Sequence, residues 1–289
     1  MKISSILDKR SLSLSFEVFP PKTNAALESI REATEEIASL SPAFMSVTYG
    51  AGGGTSKYTL DIAKNIKEKY GTPVLAHLTC VSSSRETVRE RICDLKNAGI
   101  QNIMALRGDI PSDGADYPRD YTYAAELVRE LRASEADFCI GGACYPEVHP
   151  ESLSAEEDII YLREKVEAGV DFLTTQMFFD NELFYSFLER ARGAGIGVPI
   201  IPGVMPITSA TQIERAIKLS GSYMPRRFLS LVDRFGSDSA AMKQAGIVYA
   251  TDQIIDLFAN GVTNVHVYSM NKPEVARAIL HNLLDILGK

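Results

Sequence analysis

One alternation constrains this chain more than any other feature. Eight short runs of β-branched and apolar residues are each followed by a longer amphipathic stretch, from one end to the other. The runs are Leu12–Phe19, Phe44–Tyr49, Val74–Cys80, Asn102–Arg107, Phe138–Cys144, Phe172–Phe178, Pro199–Met205 and Asn264–Met270. Several are apolar almost throughout, the pattern of parallel strands covered by helices rather than of half-solvated antiparallel ones. The early runs recur at roughly thirty residues, the size of a strand–helix unit.

The intervening stretches have helix grammar. Asn24–Ser39 begins at an N-cap of Thr23 or Asn24, and Thr59–Lys69 stops before Gly71 and Pro73. Arg85–Asn97, Tyr123–Arg132, Ala155–Ala168 and Glu182–Ala194 follow, each closed by a small residue or glycine. A longer helical stretch, Ala210–Asn260, carries a break near Pro225 and reads as extra helices inserted before the last strand. Glu274–Leu287 completes the eighth unit. Eight such units predict a closed TIM (β/α)8 barrel, with extra helices before the last strand, formed by residues 1–289 as a single domain. An open doubly wound sheet is the alternative. Against it, no GxGxxG follows the first strand.

Composition narrows the functional classes. The net charge of −7 offers no basic surface for nucleic acid or anionic lipid. Cys80, Cys93, Cys139 and Cys144 show neither CxxC spacing nor a zinc pattern with histidine, so no metal centre is expected. No apolar run is long enough for a signal peptide or a membrane span, so a cytoplasmic location is expected.

Strand side chains alternate between the two faces of the sheet. In the first run, Leu12, Leu14, Phe16 and Val18 form an apolar row, expected to meet the helices. Ser13, Ser15, Glu17 and Phe19 then face the barrel interior, with Glu17 near the C-terminal rim, before Pro20 and Pro21. The same reading groups Leu75, His77 and Thr79; Ile103, Ala105, Arg107 and Asp109; and Thr174, Gln176 and Phe178. Polar groups from several strands thus converge on the rim where barrel enzymes build their sites. Taken singly, each has a plainer reading. Glu17 could pair with a lysine, Arg107 with Asp109, His77 with backbone, and Phe178–Phe179 could be core. Two loops, GAGGGTSK (Gly50–Lys57) and Ala143–Pro150, could each approach a ligand or simply connect elements.

The segments SFEVFPPK (Ser15–Lys22), SVTYGAGG (Ser46–Gly53), AHLTC (Ala76–Cys80), ALRGD (Ala105–Asp109), AxYPEVHPE (Ala143–Glu151), TQMFFD (Thr175–Asp180), IPGVMP (Ile201–Pro206) and HVYSMN (His266–Asn271) lie in order along almost the whole chain. Together they resemble the methylenetetrahydrofolate reductase family, in its bacterial single-domain form. The resemblance implies non-covalent FAD at the C-terminal face of the barrel. NADH or NADPH would reduce the flavin and leave, and methylenetetrahydrofolate would then receive hydride in a ping-pong cycle. It also implies a homo-oligomer, a place in one-carbon metabolism and methionine synthesis, and no adenosylmethionine-binding regulatory domain.

By the same resemblance Glu17 is the general acid, and Asp109 tunes the flavin and orients the pterin. Thr48, His77, Arg107, Asp109, Tyr123, Ala143, Tyr145, His149, Asp158 and Lys165 contact FAD. Glu17, Asp109, Gln176, Gln212 and Lys272 contact substrate. Phe16 and Phe19, with the cofactor, would desolvate Glu17. Two positions depart from the family pattern. Ala216 stands where an aromatic residue stacks on ligand, and Lys272 stands for an arginine, keeping its charge but not its bidentate grip on a carboxylate. The competing readings are another flavin barrel of the proline-dehydrogenase type, a flavin-free pterin methyltransferase barrel, and a non-catalytic folate-binding subunit.

Overall fold

The computed structural model describes residues 1–9, 11–21, 23–49, 56–110 and 117–288. Residues 50–55 of the glycine-rich loop and Lys22 lie outside them. The strands are β1 (Ser13–Val18), β2 (Met45–Val47), β3 (Val74–Thr79), β4 (Asn102–Leu106), β5 (Cys139–Cys144), β6 (Phe172–Thr175), β7 (Ile200–Ile201), β8 (Gly203–Val204) and β9 (Asn264–Tyr268). All pair in parallel, in the order β7-β6-β5-β4-β3-β2-β1-β9-β8.

The two ends of that order are one stave. β7 and β8 are separated only by Pro202, which has no N–H to give a ladder. β7 pairs with β6 and β8 with β9, so the sheet closes on itself. Side chain and backbone bridge the break. The Gly203 N–H donates to Thr175 Oγ1 at 2.8 Å, and the His266 N–H donates to the Pro202 carbonyl at 2.9 Å. A Cβ on Gly203 would come within 2.6 Å of the Thr175 carbonyl and closer still to the Tyr268 hydroxyl, so only glycine lets the stave pass this close. The predicted barrel is the fold observed.

The helices α2 (Leu27–Ser39), α3 (Ser56–Tyr70), α4 (Arg85–Asn97), α5 (Ala124–Ala133), α6 (Ala155–Glu167), α7 (Asn181–Gly193) and α11 (Pro273–Asn282) stand outside the barrel. Several are capped as their sequences dictate. Ser84, Ser154 and Asp180 accept N–H bonds from the first turns of α4, α6 and α7. The layer between sheet and helices holds Leu14, Phe16, Val18, Ile103, Ala105, Val265 and Val267. The expected row of β1 is therefore correct.

The row of β4 is not. Ile103 and Ala105 face the helices, while Met104 points inward. Arg107 and Asp109 do not continue an inward row. The strand has ended at Leu106, and both reach the rim from the turn that follows. β2 and β6 are likewise shorter than their apolar runs, because their last residues leave the ladder at the mouth.

One element was not anticipated. The short helix α1 (Ser4–Leu7) closes the N-terminal end of the barrel. Ile3 and Leu7 pack there with Phe44, Leu75, Met104, Cys139, Phe172 and Ile201. The predicted insertion resolves into α8 (Ala210–Ser220), α9 (Arg226–Phe235) and α10 (Ser239–Ala259), broken where Pro225 N-caps α9. These helices share a separate core containing Phe179, Ile207, Ile213, Met224, Phe228 and Met242. Ala216, at the departure from the family pattern, is buried in it. No helix of the described residues is long and apolar enough to cross a membrane.

Candidate active site

Above the apolar floor, the barrel interior turns polar one layer at a time. Register places Ser15 beside His266, and Glu17 beside both Ser46 and Tyr268. All except Tyr268 and Glu17 are buried. Over this layer opens a cavity of about 850 Å³, large for a small-molecule site. Its wall contains Glu17, Thr48, His77, Arg107, Asp109, Tyr123, Ala143, Tyr145, His149, Asp158, Lys165 and Gln176. The carboxyl-bearing residues Glu17 and Asp109 thus share one cavity.

Glu17 sits at the bottom with 22% of its side chain still open. Ser46 Oγ lies 3.4 Å from its Oε2, His77 Nε2 3.7 Å and His266 Nε2 4.0 Å. Burial pushes its pKa up to about 7, a shift that the Ser46 hydrogen bond only partly opposes. Phe16 does not contribute from inside, since it faces the helices on the opposite side of β1. The desolvation comes from the barrel interior itself. Burial also lowers the histidines, His77 to about 4 and His266 to about 3, so both imidazoles are neutral. Neither forms a true ion pair with Glu17 near neutrality.

The upper wall carries the cations. Arg107 holds Glu151 through two parallel bonds of 2.5 and 2.6 Å, rather than pairing with Asp109. Lys165 Nζ donates to the Ala143 carbonyl at 2.8 Å, and burial lowers its pKa. His149 Nδ1 accepts from the Glu151 N–H at 3.1 Å, which leaves Nε2 as the protonated nitrogen of the neutral ring. The same ring packs edge-on against Tyr145, with centroids 4.6 Å apart. Asp158 ties this loop to α6, accepting from Ser152 Oγ at 3.0 Å and from the His149 N–H at 3.3 Å. Gln176 Oε1 accepts from the Met177 N–H, so the amide nitrogen is the end left for a ligand. Tyr123 is exposed at the lip.

Gln212 and Lys272 lie outside the cavity wall. They meet at Thr208, whose N–H and hydroxyl donate to Gln212 Oε1 at 2.7 and 3.1 Å, while Lys272 Nζ donates to Thr208 Oγ1 at 2.7 Å. Gln212 is also the third residue of α8, reaching back to the Ser209 N–H in a capping box.

Ser46, His266, Tyr268 and Glu151 have no assigned role in the sequence reading. A signal existed for two of them. Val265 and Val267 face the helices, so His266 and Tyr268 must share the inward row of β9.

A profile described as Methylenetetrahydrofolate reductase matches residues 2–284. This chain belongs to the methylenetetrahydrofolate reductase family. Within the family, it is 39% identical to the 5,10-methylenetetrahydrofolate reductase of Pectobacterium carotovorum subsp. carotovorum, over 94% of this chain and 90% of that one. It is 38% identical to the enzyme of the same name from Escherichia coli, over the same shares. Among solved structures, a protein from Clostridium thermocellum described as binding two copies of 5-methyl-5,6,7,8-tetrahydrofolic acid superposes with a TM-score of 0.69. That likeness covers 100% of this chain and 99% of the other at 16% identity, and it speaks to the fold alone.

Proposed function

We propose that this protein reduces 5,10-methylenetetrahydrofolate to 5-methyltetrahydrofolate, with FAD as cofactor and NADH or NADPH as reductant, in a ping-pong cycle that feeds methionine synthesis. Family membership supports the reaction class. The observation that carries the acid–base part is Glu17, a carboxyl held near neutrality at the floor of the cavity.

The residues present suit a flavin dinucleotide. His77 Nε2 and Thr174 Oγ1 are buried polar atoms on the cavity wall with no hydrogen-bond partner among the described residues, which suits the polar edge of an isoalloxazine ring. Arg107, Lys165 and His149 gather donors on the upper wall, where a pyrophosphate and ribose would lie. When bound, FAD supplies two-electron hydride chemistry, taking hydride from the nicotinamide and giving it to the folate.

The chain's own part is protonic and positional. The five-membered ring of the folate opens at a C–N bond to an iminium, and the released nitrogen takes a proton. Glu17 would deliver it, since a carboxyl with a pKa of about 7 is still substantially protonated at neutral pH. The Gln176 amide would orient whichever partner occupies the stacking position. Asp109, at the rim, would accept hydrogen bonds from the pterin. Lys272 is a proposed contact for the folate tail and Gln212 one for the ring system, both from the Thr208 cluster beside the main cavity.

The test separates the two half-reactions. Glu17→Gln should let NADH bleach the flavin at close to the wild-type rate, yet slow folate reduction by about a hundredfold or more, the usual worth of a general acid. Stopped-flow absorbance reads both steps. Folate reduction at the wild-type rate in this variant would remove Glu17 from the role. A purified protein that releases no flavin on denaturation would remove the cofactor.

A further inference from the structure

Beneath Glu17 runs a line of buried hydroxyl and imidazole groups that the proposed chemistry does not use directly. Ser46 Oγ lies 3.4 Å from Glu17 Oε2 and 3.0 Å from His266 Nε2. His266 Nδ1 lies 2.7 Å from Ser15 Oγ, which is also 3.3 Å from the Val265 carbonyl. Three staves, β1, β2 and β9, contribute to it. Ser15, Ser46 and His266 are all buried, and Phe44 stacks on the imidazole at 5.5 Å with the rings 9° from parallel. The ring is therefore fixed and both its nitrogens are in use.

Proton counting decides what this line can do. A serine hydroxyl has one proton and a neutral imidazole has one N–H. Ser46 has two neighbours, Glu17 and His266, and can donate to only one of them. If Glu17 is ionised, Ser46 donates to it, His266 Nε2–H donates to Ser46, and Ser15 donates to Nδ1. If Glu17 is protonated, its own O–H donates to Ser46. Ser46 then donates to Nε2, Nδ1–H donates to Ser15, and Ser15 donates to the Val265 carbonyl. Every buried donor is matched in both arrangements, but the Val265 bond exists only in the second.

We infer that His266 and Ser46 are positioning residues that govern the proton on Glu17 through a reversible chain, Ser15–His266–Ser46–Glu17, whose polarity and imidazole tautomer follow the charge of the carboxyl. The inference deepens the general-acid reading and rests on it for its catalytic meaning. The other titratable groups facing Glu17 are His77 on β3 and Tyr268 on β9, and burial keeps both neutral through the physiological range. Among the described residues His77 Nε2 has no hydrogen-bond partner, so it does not compete for the Ser46 proton.

The chain makes opposite predictions for two of its members. Ser46→Ala removes the one side chain that hydrogen-bonds the Glu17 carboxylate among the described residues, so the Glu17 proton should bind about tenfold more tightly. His266→Phe keeps the stacked ring but removes the acceptor that competes for the Ser46 hydroxyl. Ser46 then always donates to Glu17, and the proton should bind about tenfold more weakly. Ser15→Ala leaves Nδ1–H without an acceptor, favours the Nε2–H tautomer, and should shift Glu17 in the same direction as His266→Phe. It serves if the latter does not fold.

The experiment is a carbon-13 titration of glutamate carboxyls in the purified protein, with Glu17 assigned by its loss in Glu17→Gln. Nitrogen-15 spectra of His266 and the pH profile of folate reduction accompany it. Expected are opposite displacements in the two variants and a change of His266 tautomer as Glu17 titrates. Shifts of the same sign in both folded variants, or a tautomer that does not change, would overturn the chain. If the carboxyl moves as expected but the folate rate does not follow it, the chain stands and the general-acid assignment falls.

Discussion

Glu17 is held in a condition that opposes folding whenever it is charged. Its pKa is about 7 in the fold and near 4.5 in an unfolded chain, so between those values the folded state binds the extra proton. Stability is therefore undiminished below about pH 4.5 and is lost as pH rises through about 7. A shift of this size corresponds to on the order of 3 kcal/mol. Glu17→Gln, which never ionises, should melt like the wild type in acid and become the more stable of the two above neutrality, by up to about 3 kcal/mol. Thermal melts across that range check it, and a constant difference between the two proteins would contradict it. Glu17 itself was legible in the sequence, because period-two alternation in β1 separates its polar row from its apolar one. Arg107 was placed in the right region by the wrong geometry. Alternation in the letters runs past the end of β4 at Leu106, where the backbone has already turned. Glu151, its actual partner, sits forty-four residues further on, at a distance no strand pattern spans.

At the level of elements, the inserted helices show how tightly the extra lobe is fastened to the barrel. α10 crosses the loop after β8 at Gly246, where an added Cβ would fall 1.7 Å from the Ile207 carbonyl oxygen. Backbone, not a flexible side chain, blocks the space. Gly246→Ala should destabilise the protein by about 3 kcal/mol or more, measured by urea denaturation, and should loosen α8 with its Gln212. A variant of wild-type stability would mean the crossing is easily relaxed. The helices and their order were readable from spacing, caps and Pro225. By its apolar character the seventh strand reads as one continuous run, Pro199–Met205. Its division at Pro202 was present in the letters, but it took the closure of the sheet to show that its halves serve different neighbours. The α1 helix left almost no trace, because four residues with one buried apolar anchor do not make a periodic signal.

For the molecule as a whole, the two ends of the barrel do different work. The floor is apolar and packed, and the mouth is polar and open. Ile3 is fully buried in that floor, and its N–H donates to Asn102 Oδ1 at 2.8 Å. Ile3→Ala should lower the denaturant midpoint by the equivalent of about 3 kcal/mol while leaving ligand affinities unchanged, because the cavity lies at the opposite end. Loss of the proposed flavin binding in a variant that remains folded would show that the ends are coupled. The joint at Pro202 has a further consequence. A ring is no stronger than its shortest overlap, and here two-residue ladders on either side carry the closure. Amide exchange in Ile200–Val204 should therefore be faster than in β1, β3 or β4, betraying an opening far easier than full unfolding. Parting that joint would carry Tyr268 away from Thr175, which its hydroxyl now holds, and tilt the row that also bears His266. Warming could thus silence the protein while its circular dichroism still looks intact.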